Sequence, residues 1–204
     1  MRKYLCLAAL ALPLISVGAE KCCKVTNAPP AIKAALTAPL PDHSLFHLEG
    51  NWTTHGGDAV ALNHFTGKPT LVTMFFASCA VACPILIEDI RGVQKELPEA
   101  QRDQLNIVML SFDTERDTPE ALAAFAKARS LSSPPWTLMH GDADVVLETA
   151  ALLNVRYRKD DQGNFAHSNI MTLLNAEGEV VYQLDGLRAD PAPLLKAISS
   201  LSEK

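Results

Sequence analysis

Long apolar runs, positive charge and cysteine are all scarce in this chain of 204 residues. Beyond the N-terminus, no apolar run approaches the roughly 20 residues that a membrane-spanning helix requires. Basic side chains number 18 against 23 acidic ones, which gives a formal net charge of −5. A surface of this sign argues against nucleic acid and anionic lipid as partners. Cysteine occurs five times, and two of the five fall in a pattern that carries chemistry.

The first 19 residues have the composition of a secretory signal. Arg2 and Lys3 precede an apolar stretch, residues 4–17, which small residues follow. This pattern predicts export, with cleavage before Glu20. An uncleaved N-terminal anchor is the alternative, and only that anchor would attach the protein to a membrane. We therefore expect an exported protein of the bacterial periplasm, either free or anchored to the inner membrane.

Cleavage would leave 185 residues with 16 basic and 23 acidic side chains, a net charge of −7. This length suits one folded domain, which we expect at residues 43–204. Residues 20–42 contain four prolines and are predicted to form an extended N-terminal arm. Cys22 and Cys23 lie in this arm, and a disulfide between neighbours would be strained. Two free thiols there could capture a metal, couple to another chain or have no role.

The order of the predicted elements gives the fold class. Strands are predicted at 70–76, 105–112, 170–174 and 179–184, and helices at 85–97, 118–129, 142–153 and 190–201. An N-terminal hairpin is predicted from strands at 46–48 and 59–62 that flank Gly56-Gly57. Strands that alternate with helices and end in a hairpin and a helix predict an α/β fold. We expect a thioredoxin-like arrangement, with a central mixed β-sheet flanked by helices and an N-terminal β-hairpin extension.

Cys79 and Cys83 lie where the apolar run 70–76 gives way to Pro84 and a predicted helix. Proline suits a first helical turn, and the first N–H groups of a helix favour thiolate over thiol. Thiolates either bind soft metals or exchange disulfides. A purely structural disulfide is the alternative, but closing so small a loop removes little entropy from the unfolded chain.

Further segments support a family resemblance. They are Gly67-Lys68-Pro69, the motif Cys79-Ala80-Val81-Ala82-Cys83-Pro84, the run SFDTERDTP at 111–119, Trp136 with Leu138 and Gly141, Val155-Arg156-Tyr157, and His167-Ser168, 84 residues after Cys83. In this order, across residues 45–200, they resemble the Sco/SenC/PrrC family of copper-binding assembly factors for cytochrome c oxidase.

The resemblance implies a thioredoxin-like copper metallochaperone whose metal ligands are Cys79, Cys83 and His167. It also implies delivery of copper to the dinuclear copper site of cytochrome c oxidase, or preparation of that site. The implied partners are the copper-bearing oxidase subunit and other copper or thiol-redox proteins. Two thiolates and one imidazole suit Cu(I) and can hold Cu(II) with a fourth, oxygen donor, although zinc would accept the same set.

This chain departs from the family pattern beside each presumed ligand. The family usually has Cys-Pro-Asp-Val-Cys-Pro and Asp-His-Ser, whereas this chain has alanine or valine between the cysteines and Ala166 before His167. The three presumed ligands remain. The two aspartates of the family pattern, which could hydrogen-bond to the ligands or supply an outer oxygen ligand, are missing. Their absence affects copper affinity and redox poise more than the fold.

A thiol–disulfide oxidoreductase is the alternative function, with Cys79 and Cys83 reducing the cysteines of a partner. Reductases of this fold use a two-residue spacing and a proline that faces the cysteines. Here the spacing is three residues, and the segment expected to face them, 164–167, contains a histidine and no proline. A cysteine peroxidase ranks below both hypotheses, since residues 76–78 include no threonine or arginine to activate a thiolate.

Other polar residues are interpreted as structural. These are the four histidines His43, His47, His55 and His64, and the charged residues Asp113, Glu115, Arg116 and Asp117. We interpret the histidines as solvated side chains. The charged residues are interpreted as an ion-paired turn that caps the following helix.

Overall fold

Nine strands and five α-helices make up the part of the chain that the structure, a computed structural model, describes: residues 39–132 and 134–202. The predicted signal peptide, most of the predicted arm, and Cys22 and Cys23 lie outside the described residues. In the described ranges, no helix has the length and apolar character needed to cross a membrane.

The strands are β1 (Trp52–Thr54), β2 (Ala59–Val60), β3 (Thr70–Phe75), β4 (Asn106–Ser111), β5 (Trp136–Gly141), β6 (Tyr157–Lys159), β7 (Phe165–His167), β8 (Ile170–Leu174) and β9 (Val180–Asp185). The helices are α1 (Ala82–Glu96), α2 (Glu99–Arg102), α3 (Pro119–Ala128), α4 (Ala143–Leu152) and α5 (Ala192–Leu201). Two short 3₁₀ helices occupy Leu45–His47 and Leu62–Phe65.

Seven strands form a central mixed sheet in the order β2-β1-β5-β4-β3-β8-β9. The neighbours β3, β4 and β5 run parallel, whereas β1 and β8 pair antiparallel to β5 and β3. Every residue of β3 is buried, as expected for a strand covered on both faces. The predicted mixed α/β fold is confirmed.

The smaller sheet consists of β6 and β7 alone. Their antiparallel register places Tyr157 opposite His167. We call residues 157–167 the histidine hairpin. The sequence pattern does not predict this hairpin, because β6 is polar and largely exposed and therefore shows no apolar alternation.

The predicted N-terminal hairpin is partly wrong. Residues 46–48 were expected to be its first strand, but Ser44 begins a 3₁₀ helix there, and its Oγ accepts a hydrogen bond from the N–H of Phe46 at 3.1 Å. The first strand is β1 instead, which starts at Trp52, a fully buried side chain. Leu62, expected at the end of the second strand, lies in the other 3₁₀ helix.

The observed hairpin, β1 and β2, extends the central sheet at the edge formed by β5. Trp52 pairs with Gly141 of β5, and a Cβ at Gly141 would lie 2.7 Å from the Trp52 ring. Glycine at this position therefore allows the indole to lie against the backbone of β5. β5 itself was not predicted as a strand.

Candidate metal centre

The two cysteines lie between the end of β3 and the first turn of α1. The carbonyl of Phe76, directly after β3, accepts hydrogen bonds from the N–H of Cys79 at 3.2 Å and from the thiol of Cys83 at 3.4 Å. The N–H of Cys83 donates to Sγ of Cys79 at 3.3 Å. Both cysteines are free. Backbone atoms at the end of a core strand therefore hold the two cysteines together.

Burial differs between the two cysteines. Cys83 is fully buried, whereas Cys79 is 8% exposed. Burial raises the pKa of the Cys83 thiol well above its usual value. The expectation that the helix start favours thiolate is therefore wrong for Cys83, because burial disfavours the charged sulfur. Binding a metal at this sulfur must release a proton.

His167 is the last residue of β7 and is half buried. Its Nδ1 lies 2.9 Å from the carbonyl oxygen of Ser168. A carbonyl only accepts hydrogen bonds, so a neutral ring in this contact carries its proton on Nδ1 and has its lone pair on Nε2. Metal-binding histidines commonly donate their second ring N–H to a carbonyl in this way.

An aromatic cluster connects the histidine hairpin with the cysteines. The His167 ring packs against Phe76 and Phe112, with ring centroids 5.7 Å and 5.0 Å away. Phe165 of the hairpin lies 5.2 Å from Phe76, and Tyr157 stacks on Phe112 at 5.0 Å. Phe76 therefore contacts both sides of the candidate centre: its ring touches the histidine, and its carbonyl holds the cysteines.

The three predicted ligands do not form a closed site. Among residues 39–132 and 134–202, no three side chains of the types His, Cys, Asp and Glu lie close enough together to hold a metal ion. The structure thus brings Cys79 and Cys83 together and places His167 in the adjoining aromatic cluster, on the same Phe76.

The four histidines that the sequence analysis interpreted as structural have ordinary environments. His43, His47 and His64 are exposed, and Nδ1 of His55 accepts a hydrogen bond from the N–H of Leu138 at 3.2 Å. None of them adjoins the cysteines through a contact in the described structure. Their interpretation as structural or solvated residues fits these surroundings.

The charged turn contacts the loop that carries the cysteines, which the sequence pattern did not predict. Asp117, buried at 2% exposure, accepts hydrogen bonds at the same oxygen from the N–H of Ala77 at 2.8 Å and from Oγ of Ser111 at 2.6 Å. Burial raises the pKa of this carboxyl group. Ala77 precedes Cys79 by two residues, so Asp117 fixes the loop that carries the first cysteine. The available signal was a carboxylate in the short turn between a buried strand and the cap of the next helix.

A family model matches most of the chain. The family model described as SCO1/SenC matches residues 43–203. The chain belongs to the SCO1/SenC family.

Two curated relatives in this family differ in how much of them the chain covers. The SCO1 protein homolog of Bacillus subtilis is 25% identical over 138 residues, which are 66% of this chain and 71% of that protein. The mitochondrial SCO1 homolog of Homo sapiens is 29% identical over 133 residues, 62% of this chain and 43% of that protein. The chain therefore spans less than half of the length of the human relative.

A solved member of the SCO1/SenC fold gives the structural comparison. The crystal structure of Arabidopsis thaliana ScoI with copper bound superposes with a TM-score of 0.66. The aligned region is 21% identical and covers 76% of this chain and 96% of that one. The likeness confirms the thioredoxin-like fold of the Sco proteins.

Proposed function

We propose that this SCO1/SenC protein binds one copper ion through Cys79, Cys83 and His167 and delivers it to the dinuclear copper site of cytochrome c oxidase. The observation that carries the proposal is the shared contact at Phe76, which holds both cysteines and packs against the histidine. Two sulfurs and one imidazole nitrogen form a soft donor set that suits Cu(I). A solved protein of the same fold, Arabidopsis thaliana ScoI, holds copper.

Capture of copper requires two changes in the metal-free protein. Cys83 must lose its proton, because its thiol is protonated when buried. His167 must approach the sulfurs, since the described residues contain no closed three-ligand site. The hairpin belongs to its own two-stranded sheet, so its His167 end can shift about the turn at Gly163 without breaking a hydrogen bond of the central sheet.

Delivery then proceeds by ligand exchange. Copper is the cargo, and a site with three protein ligands leaves room for a donor from the partner. The partner in this proposal is the copper-bearing oxidase subunit, whose ligands replace His167 and the two sulfurs one at a time. The location follows from the predicted signal: residues 43–204 would act outside the cytoplasm, in the periplasm or on an inner-membrane anchor.

A thiol–disulfide reductase is the second candidate, and the unequal burial of the cysteines favours it. Only Cys79 retains exposure, so a partner disulfide would meet Cys79 first and Cys83 would resolve the mixed disulfide. In that reaction the partner disulfide becomes two thiols, while Cys79 and Cys83 become a disulfide. Such a reaction needs no imidazole ligand.

The variant His167→Ala separates the two functions, with exposed His64→Ala as the matched control. Loss of a residue that only hydrogen-bonds to a metal ligand typically weakens metal binding by about 10- to 100-fold, and removal of the ligand itself should weaken copper binding further. The cysteines should still form and reduce their disulfide. The measurements are a copper competition titration of the reduced protein and oxidase activity in a complemented deletion strain. Unchanged copper affinity with full oxidase activity would refute the chaperone mechanism and favour the reductase.

A further inference from the structure

The turn between β4 and α3 touches both ligand-bearing segments. Asp117 of this turn accepts a hydrogen bond from the N–H of Ala77 and so holds the cysteine loop. The preceding residue, Arg116, extends in the other direction and donates from Nη2 to the carbonyl oxygen of Gly163 at 2.6 Å. Gly163 lies in the turn of the histidine hairpin.

Arg116 is itself held in place. Its Nε donates to Oδ2 of Asp113 at 2.5 Å, and its guanidinium lies 5.8 Å from the centre of the Phe165 ring. Asp113 is only 1% exposed, and a buried carboxylate is costly unless it is paired. The ion pair therefore compensates the buried charge at Oδ2 of Asp113, whose Oδ1 has no hydrogen-bond partner among the described residues, and it fixes the direction in which Arg116 points.

The guanidinium is well suited to this double contact. It is planar and rigid, so the N–H at Nε can bind Asp113 while an N–H at Nη2 reaches Gly163. Gly163 has φ of +80°, and a Cβ there would lie 3.4 Å from Arg116. Glycine allows both the backbone conformation and the close approach of the arginine.

The hairpin has few other attachments. Strands β6 and β7 pair with each other and with no strand of the central sheet. Its contacts with the β4–α3 region are the aromatic cluster, the exposed ion pair between Lys159 and Glu115, and the bond from Arg116 to Gly163. Exposed ion pairs contribute little to stability. The hydrogen bond from Arg116 to Gly163 is the stronger polar attachment, because its donor is charged and is itself paired with buried Asp113.

We propose that Arg116 is a positioning residue that fixes the His167 hairpin relative to the cysteine loop. It acts through Gly163 on the hairpin side, while Asp117 of the same turn holds Ala77 on the cysteine side. The turn thereby sets how far His167 lies from Cys79 and Cys83. The consequence for copper rests on the proposed function, whereas the anchoring of the hairpin does not.

The decisive variant is Arg116→Lys. Lysine keeps a positive charge beside buried Asp113, so the fold is retained, but its single nitrogen cannot replace the fork that reaches both acceptors. Arg116→Met also removes the charge, and we expect it to give a larger effect in the same direction. Arg158→Lys is the matched control, because Arg158 lies exposed on β6 and its side chain makes no hydrogen bond or ion pair within the described ranges.

Two readouts are measured on each protein. Hydrogen exchange of the metal-free, reduced protein should become about tenfold faster in residues 157–167 of Arg116→Lys, with β3 and β4 unchanged. Copper affinity should fall about tenfold in the same variant, as for the loss of a group that orients a ligand. Arg158→Lys should match the wild-type protein in both measurements.

Three results would overturn the inference. They are unchanged exchange in the hairpin, faster exchange throughout the central sheet as well, and a loosened hairpin with copper affinity unchanged although His167→Ala lowers it. If His167→Ala leaves copper affinity unchanged, the proposed function fails. Hydrogen exchange then decides alone whether Arg116 anchors the hairpin.

Discussion

The cysteine side and the histidine side of the candidate centre are held in different ways. Cys79 and Cys83 follow a core strand, and hydrogen bonds to backbone atoms of Phe76 and Cys83 fix them. His167 lies on a two-stranded hairpin outside the central sheet, where ring packing and the side chain of Arg116 provide the attachment. A carrier that must first close around an ion and later release it benefits from one fixed half and one adjustable half.

The packing around α1 explains why the cysteine side is fixed. Leu86, Ile87 and Ile90 on the inner face of the helix are essentially fully buried. Burial of each such side chain contributes about 1.5–3 kcal/mol. Displacing α1 would expose this face, whereas displacing the hairpin would uncover mainly the rings of Phe76 and Phe112.

The largest expected effect comes from breaking the fixed half. Cys79→Ser and Cys83→Ser should each abolish tight copper binding, because serine keeps the size of the side chain but provides no thiolate. The carbonyl of Phe76 can accept the new hydroxyl at position 83, so the fold should persist. The measurement is a copper titration with circular dichroism of each variant, and Ser78→Ala is a neighbouring control. Stoichiometric tight binding by the double serine variant would place the ligands elsewhere, with Cys22 and Cys23 tested first.

An intermediate effect is expected at Asp117, which joins the cysteine loop to the charged turn. Burial raises the pKa of this carboxyl group, so its contribution to stability is fully present at acid pH and is lost as pH rises through the raised pKa. Asp117→Asn cannot ionise, and both hydrogen bonds reach one oxygen that an amide can supply. The variant should gain stability relative to wild type as pH rises through that range.

Denaturant unfolding of the metal-free, reduced protein across a pH series measures this difference. Exposed Asp161→Asn is the control and should run parallel to wild type. A curve for Asp117→Asn that also runs parallel to wild type would show that burial of Asp117 has no cost in the folded state.

The smallest effect is expected at the exposed ion pair on the adjustable half. Glu115 is 74% exposed and accepts a bond from Lys159 at 2.6 Å, and the bond holds the pKa of Glu115 below its usual value. This contribution is present above the ordinary pKa of glutamate and is lost as pH falls through the lowered pKa. Glu115→Gln should change exchange in the hairpin only slightly, and less at high salt. Loss of protection as large as in Arg116→Lys would contradict the central place given to Arg116.

The fixed half could be predicted from the sequence because its signals are local. A continuous apolar run, two cysteines and a proline suffice to locate a strand, a junction and a helix, and the structure agrees within a few residues. The ligand role of His167 came from a family resemblance, and it stays a prediction. The likeness to a known pattern could not reveal how the histidine is held.

The adjustable half could not be predicted because its contacts are distant in sequence. Arg116 meets Gly163 across 47 positions, and no periodicity relates the two residues. The polar strand β6 resembles a loop in composition. At the N-terminus, the Ser44 cap starts a 3₁₀ helix where the apolar residues that follow it predict a strand. Long-range contacts and local capping therefore determine the structure of these segments, and the apolar pattern of the sequence carries no signal of either.

X-ray absorption of the copper-loaded, reduced protein tests the shared ligation most directly. The spectrum of the wild-type protein should show two sulfur donors and one imidazole nitrogen around a single copper, and His167→Ala should lose only the imidazole contribution. The control His64→Ala should reproduce the wild-type spectrum. Identical copper environments in wild type and His167→Ala, or an environment without sulfur, would contradict a centre built from Cys79, Cys83 and His167.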